Sequence, residues 1–404
     1  MQSLHLTAEE EAMLGGQEGA GVALAMRVIV GQARSSEAPR LVEITSAHVD
    51  SCLYHGQVSL DFANRLVELG ARVRVPSTLN VGSMDLIHPG LVRDHELAAA
   101  GRELMAAYVA LGCTPTFTCA PYQLPDRPGF GEHIAWAESN AIVFANSVLG
   151  ARTDRYGDFL DVCAAITGRA PYSGLQTTEA RRGTVVFDCR PLGDFLQSEL
   201  AYPLLGHHIG SVVGAGIPVL VGIPAEATED DLKALGAAAA SAGGVALFHA
   251  VGITPEAPRE FAELPVREVD LDILLRVRRE LSTTGELDAV SVGTPHASYA
   301  ECVRLAGLVA DGAPLKVPFY LSTSRLTRER LGPTLDTLED AGVTVVVDTC
   351  TYVTAILSPD WKNVMTNSGK WAHYAPGNIN VSAVLGSLAE CVASARAGHV
   401  VFES

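Results

Sequence analysis

The sequence predicts an α/β protein of two or three lobes, and three observations support that class. Strand-like and helical segments alternate along the chain, a pattern typical of parallel sheets covered by helices. Apolar, β-branched runs at residues 217–223 and 245–251 have the character of strands buried on both faces. The chain has 404 residues, 48% of them hydrophobic, which exceeds what one ordinary core accommodates.

The first part of the chain alternates helices with short strands. Thr7 followed by Glu10 forms a capping box, so we predict a helix over residues 7–33. Polar side chains follow both predicted strands of this part, where open α/β sheets bind ligands. The further predicted elements are strands 41–44 and 72–75 and helices 57–69 and 94–111.

The rest of the chain continues this alternation. We predict lobes at residues 1–170, 171–285 and 286–404, with mostly parallel sheets. His207 and His208 lack the i, i+4 spacing of helical metal ligands, so we interpret them as part of a structural turn. The predicted elements are strands 184–188, 217–223, 245–251, 289–292, 317–321 and 343–347 and helices 229–242, 299–310 and 327–341.

Composition limits the possible partners. A net charge of −17 argues against nucleic acid and anionic membranes as partners, because both require a basic face. The acidic N-terminus has no apolar signal core, and no apolar run reaches the roughly 20 residues of a membrane span. We therefore expect a cytoplasmic protein whose eight cysteines are thiols or metal ligands rather than disulfides.

The highest density of reactive groups lies between Cys113 and Thr153. A core would not require these polar residues, and loops on a rigid scaffold often carry chemistry. We therefore interpret the stretch as one wall of an active site. Its candidate residues are Cys119, Glu138, Ser139, Asn140, Asn146, Arg152 and Thr153.

Two cysteines are best placed to bind a metal, namely Cys119 in a Pro-bounded turn and Cys350 just after a predicted buried strand. The alternative for any free cysteine is a small buried hydrophobe. The sequence contains no C-x-x-C pair, which excludes simple zinc-ribbon and ferredoxin spacing. Cys302 lies within a predicted helix, and Cys113 precedes a Pro-containing turn.

Two later segments also carry candidate groups. His296 follows the strand 289–292 and is a candidate to orient a substrate or a metal-bound hydroxyl, although the segment also suits a capping turn with Ser298 as N-cap. Residues 365–370 combine hydrogen-bonding side chains with a cation, which suits a carboxylate or a plain turn. The candidates in that segment are Thr366, Asn367, Ser368 and Lys370.

Several of these motifs, in this order, resemble the catalytic domain of the aconitase X family, over nearly the whole chain. The resemblance implies an aconitase-like α/β fold of three α/β/α lobes around a central cleft. It also implies a dehydratase in which an iron centre held by cysteines acts on a hydroxyl. The motifs are Thr118–Tyr122, Ala135–Asn140, Asn146–Thr153, Thr294–His296, Asp348–Cys350 and Met365–Tyr374.

The resemblance further implies roles for individual residues. Cys119 and Cys350 would hold an iron–sulfur cluster or iron. Thr294 stands where some archaeal members have Cys, so Cys302 and Cys113 are the candidates for a third ligand. His48 and His296 would position the hydroxyl. Glu138 and Lys370 complete the catalytic candidates. The substrate-binding candidates are Ser139, Asn140, Asn146, Arg152, Thr153, Thr366, Asn367 and Ser368.

A small swivelling domain, fused or separate, completes the enzymes of this family. This chain ends at Ser404, so we expect it to lack that domain and a small partner subunit to supply the catalytic serine. The family's substrates are small hydroxy acids, either cis-3-hydroxy-L-proline or mevalonate 5-phosphate. Few cations lie near the predicted site, which favours dehydration of the hydroxyproline to pyrroline-2-carboxylate over a phosphorylated substrate. They are Arg152, Arg155, Lys370 and Arg325.

Two functions of other classes also fit the residues. The first is a non-catalytic metal-binding or regulatory subunit, and the second is a zinc hydrolase that uses the His and Cys residues of the chain. Metal content and turnover distinguish both from the dehydratase.

Overall fold

A computed structural model describes residues 4–402. It contains two compact units. The first unit comprises residues 4–84 and 94–182, and the second comprises residues 85–93 and 183–402. The predicted division into three lobes at residues 170 and 285 stays a prediction, and the ends of its outer lobes, 1–3 and 403–404, lie outside the described residues.

The helices and strands alternate along most of the described chain. The helices are α1 (Ala8–Leu14), α2 (Ala20–Ser35), α3 (Gln57–Glu68), α4 (His95–Ala110), α5 (Ser139–Phe144), α6 (Leu160–Thr167), α7 (Ala201–Val213), α8 (Glu229–Ala242), α9 (Leu271–Glu280), α10 (Tyr299–Val309), α11 (Arg325–Leu331), α12 (Pro333–Asp340), α13 (Gly369–Ile379) and α14 (Leu388–Ala397). The strands are β1 (Leu41–Glu43), β2 (Ala47–Val49), β3 (Ser77–Leu79), β4 (Ala135–Trp136), β5 (Arg169–Pro171), β6 (Val185–Asp188), β7 (Pro218–Val221), β8 (His249–Ala250), β9 (Val266–Glu268), β10 (Ala289–Ala297), β11 (Phe319–Thr323), β12 (Val343–Val346), β13 (Asn363–Thr366) and β14 (Ser382–Leu385).

The first unit is built on a small parallel sheet in the order β3-β2-β4. A separate antiparallel pair joins β1 to β5. Helix α6 packs against α2 and against β2, and its residues are buried throughout. Because the three strands of the β3-β2-β4 sheet are parallel, they all end at one edge, and the loops that follow them lie at that edge.

The second unit contains two parallel sheets. One has the order β8-β7-β6-β9, and the other has the order β12-β11-β10-β13-β14. Central strand β10 is buried along its whole length, and its apolar residues share a core with α10 and α14. These sheets confirm the predicted α/β class with mostly parallel strands.

Capping side chains account for several helix boundaries. The Thr7 hydroxyl accepts a hydrogen bond from the Glu10 amide, and the Glu10 carboxylate accepts one from the Thr7 amide, which confirms the predicted capping box. However, the predicted helix 7–33 is wrong in its continuity, because Gly16 and Gly19 have φ of 83° and 103° between α1 and α2. Such a left-handed backbone favours glycine and ends a helix.

Three other elements were also predicted wrongly. Residues 72–75 are not a strand, because the amides of Val73 and Arg74 bond to carbonyls of Leu111 and Ala165, and β3 begins only at Ser77. The predicted helix 327–341 is two helices, α11 and α12. The run 245–251 contributes only β8. Hydrogen bonds to distant segments decide the outcome at residues 72–75, and Gly332, with a φ of 51°, separates α11 from α12.

The predicted turn at His207 and His208 is also wrong, because both residues lie inside α7. The described residues 4–402 include no helix that is both long and apolar enough to cross a membrane. The cytoplasmic location stays a prediction.

A buried ion pair links two helices of the second unit. Lys233 on α8 is 4% exposed, and its ammonium donates to Asp230 at 2.8 Å and to Glu301 on α10. Burial lowers the pKa of Lys233, but the carboxylates of Glu301 and Asp230 outweigh that effect and raise it. Ser298, the N-cap of α10, donates to Asp230 at 2.6 Å and completes the network.

Replacing Lys233 with Met should lower the free energy of unfolding by up to roughly 3 kcal/mol, because the half-buried Glu301 then lacks its cation. Chemical denaturation monitored by circular dichroism measures the change. Arg65→Met is the matched control, since Arg65 pairs with Glu68 on the exposed face of α3 and should contribute less than about 1 kcal/mol. Equal losses in the two variants would contradict a buried network at Lys233.

Candidate active site

Polar side chains gather at the carboxyl edge of the β3-β2-β4 sheet in the first unit. Asp50 follows β2, Asn80 follows β3 and Glu138 follows β4. The Asn80 amide donates to the Asp50 carboxylate. Parallel strands bring these residues to one edge although they are far apart in sequence.

The loop that carries Cys119 is held by Asn140. The Asn140 amide nitrogen donates to the Cys119 carbonyl at 2.8 Å and also to Glu138, and Asn140 Oδ1 accepts from the Tyr122 hydroxyl at 2.5 Å. Glu138 caps α5 by accepting from the Ala141 amide at 2.8 Å. These bonds orient the buried Cys119 and indicate a positioning role for Asn140.

Ser139 lies at the start of α5, and its hydroxyl donates to Glu138 at 3.3 Å. Asn146 and Thr153 face each other across a short loop. Asn146 donates to the Thr153 carbonyl at 2.9 Å, and the Thr153 amide donates to Asn146 Oδ1 at 3.0 Å. The Thr153 hydroxyl accepts from the Trp136 amide at 3.0 Å, which ties this loop to β4.

One residue that supports this loop was not predicted from the sequence. Arg181 is buried and donates to Asn146 Oδ1 at 2.8 Å, to the Asn146 carbonyl at 3.0 Å and to the Ala151 carbonyl at 3.1 Å. No spacing rule links residues 35 positions apart, so only the fold identifies it. Arg152 is more exposed and donates to the Thr178 hydroxyl at 3.0 Å.

His48 is a neutral imidazole within β2. Its Nδ1 lies 2.8 Å from the Thr78 hydroxyl, and its buried Nε2 meets no partner at hydrogen-bonding geometry among residues 4–402. Burial lowers the pKa of His48 to about 3, against smaller raising effects of Asn80 and Thr118. His48 can therefore donate or accept a hydrogen bond at neutral pH without carrying charge.

Asp50 also lies in this region but was not among the predicted site residues. Burial and the nearby Glu138 carboxylate raise its pKa to about 7, although the hydrogen bond from Asn80 acts in the other direction. Its position directly after β2 was the available signal. A carboxyl group that titrates near neutral pH suits proton transfer.

In the second unit, His296 and Cys350 lie side by side and are both buried. A ring nitrogen of His296 and the Cys350 Sγ are within 4.8 Å of each other. His296 Nε2 is 3.1 Å from the Thr349 carbonyl, which can accept a hydrogen bond from a protonated Nε2. In that tautomer the ring's lone pair is on Nδ1. Burial lowers the pKa of His296 to about 4, so the ring is neutral. A neutral imidazole beside a thiol is a donor set that iron and zinc accept.

Cys302 has a different environment. It belongs to the hydrophobic core of the second unit, and its Sγ lies 3.8 Å from the Thr323 hydroxyl. Burial raises its pKa to about 12, which disfavours the thiolate form that binds metals. Among residues 4–402, Cys302 forms no close group with His296 and Cys350.

The segment 365–370 runs from the end of β13 into the first turn of α13. The Ser368 hydroxyl accepts from the Trp371 amide at 3.0 Å as N-cap, and the Thr366 hydroxyl accepts from the Ser368 amide at 3.2 Å. Asn367 Oδ1 is 3.4 Å from the Gly293 amide. Lys370 is buried in the first turn of α13, where a helix N-terminus also favours an anion.

Arg325 is committed to an ion pair within the second unit. Its Nε and Nη2 atoms donate to the two oxygens of the buried Asp348, the latter at 2.7 Å. The Asp348 carboxylate therefore compensates this charge, which reduces what Arg325 can offer to a ligand.

Replacing Asp50 with Asn should flatten the pH dependence of stability. A carboxyl whose pKa is about 7 when folded and about 3.9 when unfolded costs the folded state up to roughly 4 kcal/mol as pH rises from 4 to 7. Denaturation midpoints between pH 4 and 8 should therefore fall less steeply in Asp50→Asn than in the wild type. Asp61→Asn, on the exposed face of α3, should keep the wild-type slope. A wild-type slope in Asp50→Asn would contradict the raised pKa.

Comparisons with known proteins match the same family over nearly the whole chain. Family models for the first, second and third domains of aconitase X match residues 3–179, 183–279 and 287–397. A structure of Thermococcus kodakaraensis aconitase X in its holo form superposes with a TM-score of 0.88 at 32% identity, covering 97% of this chain and 100% of that one.

Curated relatives of two kinds match this chain. Cis-3-hydroxy-L-proline dehydratases of Hypocrea jecorina and Pseudomonas aeruginosa are each 39% identical over 98% of this chain and over 69% and 70% of their own lengths. The phosphomevalonate dehydratase large subunit of Thermococcus kodakarensis is 35% identical over 92% of this chain and 95% of its own. Together with the fold, these matches show that this chain belongs to the aconitase X family.

Proposed function

We propose that this chain is the large subunit of an iron-dependent dehydratase that converts cis-3-hydroxy-L-proline to pyrroline-2-carboxylate. The observation that carries the proposal is 39% identity, over 98% of the chain, to two proteins named for that activity. The neutral, buried groups described above support it, because dehydration requires proton transfer and a leaving hydroxyl away from bulk water.

Cys119 and Cys350 are the proposed ligands of an iron–sulfur cluster or of iron, as family membership implies. The donor chemistry fits, since Cys350 is buried beside the neutral ring of His296. Iron bound there would supply Lewis acidity toward the 3-hydroxyl of the substrate. Cys302, with its raised pKa, is a weaker candidate for the third ligand.

The substrate's carboxylate is proposed to bind at the start of α13. Lys370 supplies a cation there, and the hydroxyls of Thr366 and Ser368 and the amide of Asn367 supply hydrogen bonds. His48 and His296 are proposed to orient the leaving hydroxyl. Both rings are neutral, so either can donate or accept a hydrogen bond without a buried charge.

The first-unit candidates are proposed to complete the site. Glu138 is the proposed proton-transfer group, and Ser139 and Arg152 are the proposed contacts with the substrate. Asn140, Asn146 and Thr153 support these residues through their hydrogen bonds.

A small subunit carrying a serine base is proposed to complete the enzyme by removing the α-proton. The phosphomevalonate relatives are named large subunits, which supports a two-part assembly in this family. A serine needs an electropositive, dry environment to act as a base. Lys370 is the proposed source of positive charge.

Phosphomevalonate is the second candidate substrate, because relatives with that name are 33–36% identical to this chain. A phosphate site normally uses several cations or a helix N-terminus. The pairing of Arg325 with Asp348 reduces the cations on offer and favours a substrate with a single carboxylate.

The metal ligands can be tested by replacing cysteines one at a time with alanine. Cys119→Ala and Cys350→Ala should each lose bound iron and lower kcat on cis-3-hydroxy-L-proline at least about a hundredfold. Iron content and anaerobic turnover with the small subunit give both readings. Cys391→Ala is the matched control in the core of the second unit and should keep its iron.

The iron content of Cys302→Ala tests whether Cys302 is the third ligand, and we expect this variant to retain its iron. Full iron content and activity in both Cys119→Ala and Cys350→Ala would refute the proposed ligands.

Substrate binding can be tested at Lys370. Lys370→Gln should raise KM for cis-3-hydroxy-L-proline about ten- to a hundredfold, because one charge-assisted hydrogen bond contributes roughly 1.5–3 kcal/mol. Lys362→Gln, an exposed lysine seven residues before α13, should leave KM unchanged. An unchanged KM in Lys370→Gln would remove Lys370 from the carboxylate site.

A further inference from the structure

Two histidines that the proposed reaction does not use face each other in the second unit. His207 lies on α7 and His373 on α13, and these helices pack together. His207 Nε2 and His373 Nδ1 are 3.4 Å apart. His373 is exposed and His207 is half-buried, so solutes can reach the pair from solvent.

The separation of the two nitrogens is informative. Hydrogen bonds from N–H groups usually span about 2.7–3.2 Å, so 3.4 Å is long for one. Two imidazole nitrogens bound at about 2.0–2.1 Å to a tetrahedral metal lie roughly 3.3–3.4 Å apart. Right-angled ligands of a square-planar or octahedral ion lie closer, at about 2.9 Å. The spacing therefore fits tetrahedral coordination best.

Both rings are also in the protonation state that a metal requires. Burial, with smaller effects from His373 and His208, lowers the pKa of His207 to about 4. Burial also lowers the pKa of His373. Each ring is then neutral at pH 7 and has one nitrogen lone pair.

We propose that His207 and His373 form a Zn²⁺ site in which solvent fills the remaining coordination positions. The site uses none of the residues proposed to bind iron. Among residues 4–402, no third His, Cys, Asp or Glu completes a close group with this pair. A Zn²⁺ ion held in this way would link α7 to α13.

The surroundings of His207 limit the affinity of this site. Metal-binding histidines usually donate their second ring N–H to a carboxylate or carbonyl. His207 Nδ1 is buried without a hydrogen-bond partner among the described residues. With two protein ligands and this unsupported nitrogen, we expect Zn²⁺ to bind with a micromolar rather than a nanomolar Kd.

The test is a Zn²⁺ titration of the full chain by calorimetry, after its own metal content has been measured. The wild type should bind about one equivalent more Zn²⁺ than His373→Gln binds. In His207→Ala this class of site should weaken at least about tenfold. His208→Gln is the matched control on α7, because His208 contacts Phe187 rather than His373, and it should titrate like the wild type.

Cobalt provides a second reading, since the visible absorption of Co²⁺ distinguishes four- from six-coordinate sites. We expect a four-coordinate signal in the wild type that disappears in His373→Gln. Should His207→Ala fold poorly, His373→Gln still decides the question, because His373 is exposed.

Identical titrations of the wild type and His373→Gln would overturn the proposal and leave the pair as a long hydrogen bond. An equal loss in His208→Gln would also overturn it. These readings do not depend on turnover, so the proposed dehydratase activity can fail while the zinc site stands, or the reverse.

Discussion

The common carboxyl edge of parallel strands is the constraint on which the candidate site depends. In the first unit, Asp50, Asn80 and Glu138 each follow a different strand of the β3-β2-β4 sheet. In the second unit, Asn367 and Ser368 follow β13 in the same way. Backbone hydrogen bonds within the sheets leave these residues outside the ladder, where their side chains can serve a ligand.

Burial determines the charge of the titratable groups at the candidate site. His48 and His296 are neutral because their rings are desolvated, and Asp50 is protonated over much of the range below pH 7 for the same reason. A site made of neutral donors and acceptors can form hydrogen bonds with a ligand without uncompensated charge. Where charges are buried away from it, as at Lys233, carboxylates compensate them.

Features set by neighbouring residues could be predicted from the sequence. The Thr7 capping box and the bounds of α8 matched the structure, because a cap and its helix lie within a few residues of each other. The parallel α/β class followed from the alternation of elements. The active-site role of the Cys119 stretch, inferred from its unusual density of polar groups, stays a prediction. Family membership followed from the order of several rare motifs.

Features set by distant residues could not be predicted. Residues 72–75 have strand-like side chains, but their amides bond to Leu111 and Ala165 instead of to a strand. Arg181 supports Asn146 from 35 positions away, and His207 meets His373 from 166 positions away. Spacing rules within one helix cannot detect such pairs, because only the tertiary fold brings them together.

Substrate choice tests the central claim most directly. The chain, assembled anaerobically with the proposed small subunit, would be offered cis-3-hydroxy-L-proline and mevalonate 5-phosphate separately, and kcat/KM measured for each. We predict turnover of the hydroxyproline with a kcat/KM at least about a hundredfold higher than for the phosphate ester. Preference for the phosphate ester, or turnover of neither compound by an iron-loaded assembly, would contradict the proposed function.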